Sequence, residues 1–273
     1  MRPEAADIAV PPLPANLTWI GADRAPNIDR LVATGPVVVH FFDVAQLNSV
    51  RTLPYLRGWH ERYRDAGVAF LGVHSPRFPC TAAEDAVRAG VSRHRIPYQV
   101  AIDSRFRVWK LYGCKGWPSM FVWGRGGALR WFHFGEGEYV ATEEAIQELI
   151  LESAPDSRLP DPLPPLRPSD APGALVMPPS EEVFPGGSAE RPWDADAGRR
   201  ELSLAYSAGG AYVTADGDGT VESELDGHEL APIRVDVPGL YELVEHERHE
   251  RHTLLVRPTA GVRVWSISFA AAA

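Results

Sequence analysis

Eleven prolines fall between Pro155 and Pro192, and no other feature of the chain restricts its fold as much. Proline lacks the backbone N–H and fixes φ, so a stretch such as RLPDPLPPLRPSDAP neither continues a helix nor supplies a strand ladder. The cores must therefore form on either side of it. This reading places a tail at residues 1–17, one domain at 18–154, a Pro-rich linker at 155–195 and a second domain at 196–273. Leu163, Leu166, Leu175, Val176 and Phe184 give the linker apolar anchors, so a docked and a free extended course both stay open.

Ahead of the prolines, strand and helix patterns alternate. Val37–Phe42 is a continuous apolar run, as expected for a strand covered on both faces. Val50, Leu53, Leu56 and Tyr63 then recur at helical spacing, with Pro54 near the start of that helix. Further strands are expected over 68–73 and 98–102, with helices over 83–94 and 104–112. Two aromatic strands, 119–123 and 128–134, are joined by the glycine-dense turn GRGG. A last helix follows, with Thr142 as its cap and Glu143 and Glu144 in its first turn. The order β-α-β-α-β-α-β-β-α implies an α/β domain: a central mixed sheet flanked by helices.

Beyond the prolines the period changes to that of strands. Short runs at 201–206, 211–215, 220–225, 232–237, 240–245, 253–257 and 262–269 are punctuated by AGG, DGDG, LDGH, VPG and TAG. Seven strands at this spacing predict an all-β sandwich. DGDG reads as a hairpin turn, because Asp216 and Asp218 fall short of the oxygens that Ca²⁺ prefers. EHERHERH, with His246, His249 and His252, reads as a charged hairpin loop between two strands, and no metal site is expected.

Composition narrows the function classes. With 273 residues, 45% hydrophobic and 23% charged, the chain can bury two cores. A formal charge of −9 without a basic block argues against nucleic acid or an anionic membrane as partner. The first seventeen residues carry no apolar signal core, and no run approaches a membrane span, so the expected location is cytoplasmic. Two cysteines, Cys80 and Cys114, are too few for a disulfide framework or a four-cysteine zinc site, and no cofactor is expected.

Several motifs carry a resemblance. RTLPYLRGWHERYRDAG, GVHSPRF and WPSMFVWGRGGALRWFHFGEGEY are similar to the thioredoxin-like domain of DipZ-type cytochrome c biogenesis proteins, within the TlpA and AhpC/TSA redoxins. The likeness covers residues 18–152. GTVESELDG, GLYELVE and VRVWSISF resemble the jelly-roll-like, carbohydrate-binding-type module that follows it in such proteins. The resemblance implies a thioredoxin fold, a cis proline at Pro118 and thiol-disulfide chemistry at a Cys-x-x-Cys.

The chemistry itself is missing. Gln46-Leu47-Asn48-Ser49 stands where the resemblance places the two cysteines, and His40 replaces the acid that many thioredoxins bury six positions earlier. An amide is no nucleophile, and a serine with no base beside it is a poor one. Ser49 is then expected to cap the helix, leaving a redox-inactive protein that binds a peptide or protein partner at Trp117, Pro118 and Ser119. A second reading moves redox or peroxidase-like chemistry to Cys114 and Cys80, with Lys115 and Arg77 as the nearest cations in sequence. A third gives the sandwich a glycan. It requires exposed aromatic faces, whereas Trp193, Tyr206, Tyr212, Tyr241 and Trp265 are expected in the core.

Overall fold

The architecture is taken from a computed structural model that describes residues 1–3, 8–22, 24–195, 198 and 200–273. The chain forms two units: Met1–Asp43, Asn48–Pro76 and His94–Leu166 make the first, and Val44–Leu47, Arg77–Arg93 and Arg167–Ala273 the second. The expected start of the second domain, residue 196, lies outside the described residues.

In chain order the elements up to Ser153 are β1 (Thr18–Ile20), α1 (Ile28–Thr34), β2 (Val37–Phe42), α2 (Leu47–Tyr63), β3 (Ala69–His74), α3 (Glu84–Arg93), β4 (Gln99–Ile102), α4 (Arg107–Leu111), β5 (Ser119–Trp123), β6 (Leu129–Phe134) and α5 (Tyr139–Ser153). Their sheet has the order β1-β4-β3-β2-β5-β6. β2 runs parallel to β3, and β3 to β4, while β5 pairs antiparallel with both β2 and β6. Every residue of β2 is buried, which is why it reads as one apolar run. The sequence pattern missed β1 and α1. β1 is only three residues long, and α1 declares itself mainly through Asn27, whose Oδ1 accepts from Arg30 N at 2.9 Å.

α2 runs through Pro54 without ending. Thr142, expected as a cap, sits inside α5 instead. Its Oγ1 donates to Glu138 O at 2.7 Å and accepts from Trp131 Nε1 at 3.0 Å.

Glu143 has a different place from the exposed first-turn acid that the pattern suggests. It is 1% exposed and collects four donors: Trp59 Nε1 at 2.8 Å, Tyr63 Oη at 2.6 Å, Arg62 Nη1 at 3.1 Å and the backbone N–H of Leu163 at 2.7 Å. Burial, reinforced by the bond to Glu143, pushes the Tyr63 hydroxyl up to about 12, so it stays a donor. The proline-rich segment docks through this carboxylate. Gln147 Nε2 holds Pro160 O at 2.7 Å, Tyr55 Oη accepts from Leu166 N at 2.8 Å, and Gly58 leaves room for Leu163, whose Cδ1 would lie 2.7 Å from any added Cβ. A chain poor in N–H groups is thus held by the few it has.

The second unit contributes β7 (Trp193–Asp194), β8 (Leu202–Gly217), β9 (Gly219–Leu225), β10 (His228–Glu229), β11 (Ile233–Val235), β12 (Gly239–Pro258) and β13 (Val262–Phe269). They form one antiparallel sheet of seven strands in the order β10-β9-β12-β8-β13-β7, with β11 on β9. β8 fuses the two short runs expected at 201–206 and 211–215, and β12 passes straight through EHERHERH, which is not a loop. The two long strands pair twice, Gly239–Glu245 of β12 against 210–215 and Glu250–Val256 against 202–208, with the register broken between.

That break folds the sheet over. β13 pairs with the second half of β8, and β9 with the second half of β12. Leu202, Val221, Leu254 and Val256 from one half meet Val213, Tyr241, Val264 and Ile267 from the other in a single buried cluster. The result is a β-sandwich. Asp218 links β8 to β9, strands that are not neighbours, so DGDG is a crossing turn rather than a hairpin.

Candidate functional site

β2 ends at Phe42 and α2 begins at Leu47, so the residues that would carry redox cysteines lie where a parallel strand hands the chain to a helix. Asp43 is fully buried, and its N–H reaches Ser49 Oγ at 3.3 Å. Ser49 is the third residue of α2, also fully buried, and so ties the loop from inside the helix rather than from the cap position. Arg51 follows on the same helix, only 8% exposed, with Nε 2.7 Å from Glu136 Oε1.

His40 is sealed in the centre of the sheet, 5.1 Å from the Phe42 ring and nearly parallel to it. Neither of its ring nitrogens has a hydrogen-bond partner among the described residues. Burial lowers its pKa to about 3, so it is neutral and does no acid–base work at ordinary pH. His74, at the end of β3, places Nε2 3.7 Å from Asp43 Oδ1, both groups fully buried. The sequence singled out His40 as a site position and not His74. It gave no sign of the Asp43 partner, since the two meet only through the parallel pairing of β2 and β3.

Trp117-Pro118 is a cis peptide, as the resemblance implied, and it opens β5. Pro118 and Ser119 are buried: Pro118 O accepts from Gly135 N at 2.8 Å, and Ser119 Oγ donates to Gly116 O at 2.6 Å. Trp117 is half-buried and donates Nε1 to Ser75 O at 2.7 Å. It stands in an aromatic group with Trp109, 4.4 Å between ring centroids, and Phe106 at 6.2 Å.

Asp103 builds that group, and sequence reasoning missed it. This buried carboxylate accepts from Arg107 N at 2.8 Å and Trp109 N at 2.9 Å, starting α4, while Phe106 takes a left-handed φ of 57° at the helix start. A bulky side chain there is uncommon and costs conformational energy. The detectable signal was an Asp four residues ahead of a short apolar run.

Neither cysteine is in a disulfide. Burial pushes Cys114 up to about 12, against a hydrogen bond from Ser119 that pulls it down, so it holds no thiolate at neutral pH. In the second unit Cys80 lies in a 3₁₀ turn, Pro79–Thr81, against the cluster of Ala45, Phe78 and Trp265. Arg77 is committed to Glu182 and to the faces of Phe78 and Phe184. Within that unit Ala45 is fully buried and its carbonyl accepts from Thr214 Oγ1 at 2.8 Å, so Gln46 is flanked by buried Ala45 and Leu47. Trp193, Tyr206, Tyr212, Tyr241 and Trp265 are all buried, which removes them as a sugar platform. Asp216, the first acid of DGDG, accepts from Arg263 Nε at 3.0 Å and Trp265 Nε1 at 2.9 Å.

No protein-family model matches the chain. Over 92% of its length it is 26% identical to protein DipZ of Mycobacterium tuberculosis. The chain is similar to DipZ in sequence and thioredoxin-like in the fold of its first unit. It spans 41% of that DipZ protein, about two-fifths of the relative's length. Thiol-disulfide oxidoreductase YkuV of Bacillus subtilis is 19% identical over 53% of the chain and 95% of YkuV. Among solved structures, the thioredoxin-like superfamily protein SPOA0173 covers 56% of the chain and 99% of its own at 21% identity, with a TM-score of 0.48. The first unit has a thioredoxin-like fold, with Gln46 and Ser49 where the resemblance expects thiols. No helix among its described residues is long and apolar enough to cross a membrane.

Proposed function

We propose that this DipZ-like protein is redox-inactive and acts by binding an extended peptide or protein segment beside the cis Trp117-Pro118 bond. The observation that carries the reading is the state of the sulfur chemistry. Gln46 and Ser49 replace the reactive pair, and burial pushes Cys114 far above the range in which a thiol attacks a disulfide. An aromatic group supports the reading: half-buried Phe106, Trp109 and Trp117, held by a residue in a costly backbone conformation. Aromatic rings with apolar neighbours and nearby backbone groups suit an extended chain. With neither cysteine in a disulfide, the reading takes a reducing compartment, the cytoplasm, as the location.

A disulfide-exchange assay on insulin, combined with fluorescence titration of an extended hydrophobic peptide, tests the proposal. We expect no turnover above the blank, and peptide binding that weakens at least tenfold in Trp117→Ala. Turnover that disappears in Cys114→Ser or Cys80→Ser would overturn the redox-inactive reading. Peptide affinity unmoved by Trp117→Ala would overturn the binding face.

A further inference from the structure

Residues six apart on a regular strand are separated by about 20 Å, at ~3.3 Å per residue. In β12, however, the rings of His246 and His252 stack with centroids 4.2 Å apart and planes 22° apart. The cause is the register break. Pairing moves from Glu245 opposite Gly210 to Glu250 opposite Ala208, so five steps along β12 are matched by two along β8 and the excess is thrown out as a wide bulge.

The bulge collects metal-ligating groups. One ligand atom from each of His246, Glu250 and His252 lies within 4.8 Å of the other two. Nε2 of His252 is already 3.3 Å from Glu250 Oε2, about the spacing of two donors on one tetrahedral zinc with bonds of ~2.0–2.1 Å. Behind these atoms stands a second set of partners. Nδ1 of His252 lies 2.7 Å from Asp226 Oδ2, and the other oxygen of Asp226 is fixed by Thr253 N at 2.8 Å. Nε2 of His246 lies 2.8 Å from the hydroxyl of Tyr206, a buried residue whose ring stacks on Phe269 at 4.8 Å. Each imidazole therefore has one nitrogen engaged outside the ligand set and one left for a cation, which is how carboxylate and hydroxyl partners orient ligating histidines.

We propose that His246, Glu250 and His252 bind a divalent transition-metal ion, Zn²⁺ by their donor types, with Asp226 and Tyr206 orienting the two imidazoles. Two imidazoles and one carboxylate suit zinc better than Ca²⁺ or Mg²⁺, which favour all-oxygen sets. Three protein ligands on a half-exposed bulge leave the fourth position to water.

Titration calorimetry of the full chain with ZnCl₂ tests the site, with circular dichroism as a check on folding. One equivalent should bind, and His246→Ala and His252→Ala should each weaken it at least tenfold, while His249→Ala leaves it unchanged. Asp226→Asn keeps all three ligands and should still weaken binding roughly tenfold or more, as loss of an outer-shell partner does. It carries the test if a histidine variant fails to fold. The proposal is overturned by an absence of saturable binding, by a doubly substituted His246→Ala/His252→Ala protein that binds as the wild type does, or by an unchanged Asp226→Asn.

Discussion

Replacing Glu143 with alanine should destabilise the first unit more than any other single polar change there. The carboxylate takes two donors on each oxygen: Tyr63 and Arg62 on Oε1, Trp59 and the Leu163 N–H on Oε2. Arg62 is 27% exposed and regains water, but Trp59 and Tyr63 are fully buried and would be left without an acceptor. Each orphaned buried donor costs about 1–3 kcal/mol, and removing one member of a buried charged network about 3–5 kcal/mol. We expect about 4 kcal/mol for Glu143→Ala. Glu143→Gln should cost about half of that: its NH₂ can sit at the Oε1 place and donate to Tyr63, so chiefly the Arg62 pair and the Tyr63 donor bond are lost. Urea unfolding followed by tryptophan fluorescence measures both, and in a thermal melt 4 kcal/mol corresponds to a shift of ~8–16 °C at this size. Because Glu143 also holds the Leu163 amide, Glu143→Ala should open residues 160–166 to protease at temperatures where the wild type is protected. A loss below about 1 kcal/mol with that segment still protected would refute the network as a stabilising element.

Two further outcomes follow from buried groups. His40, held near pKa 3 in the fold against 6.5 unfolded, binds its proton only in the unfolded chain between those values. Its contribution is therefore complete above pH ~6.5 and lost as the pH falls toward 3, by up to about 1.4 kcal/mol per unit. His40→Phe should flatten the stability profile in that window, and an unchanged slope between pH 6 and 4 would contradict it. Asp103→Ala removes both backbone acceptor bonds at the start of α4 and should cost about 2 kcal/mol and alter the tryptophan emission from Trp109 and Trp117. A spectrum and a melt identical to wild type would refute that role.

What the sequence revealed depended on whether a pattern was local. Val37–Phe42 and Val262–Phe269 are strands with the expected bounds, because a run of buried residues writes itself into consecutive positions. The missing cysteines and the place of Trp117-Pro118 were legible for the same reason, as short strings in order, whereas the cis bond was only what the resemblance implied. Glu143 was not: an acid in the first turn of a helix looks the same whether it faces water or gathers donors from α2 and the proline segment. His74 and Asp43 meet across a parallel pair, and His246 and His252 across a bulge, both set by registers that no single segment encodes. The charges of EHERHERH hid a strand, since an exposed bulge tolerates residues that elsewhere mark a loop.

β8 and β12 each pass through both halves of the sandwich, which ties the halves together mechanically. Neither half can shed its ladder without peeling a strand that the other half also uses, so there is no seam along which the fold could come apart in two steps. The amides of Leu202–Tyr206 and of Ala211–Ala215 should therefore exchange hydrogen with one common opening energy, as parts of a single cooperative block.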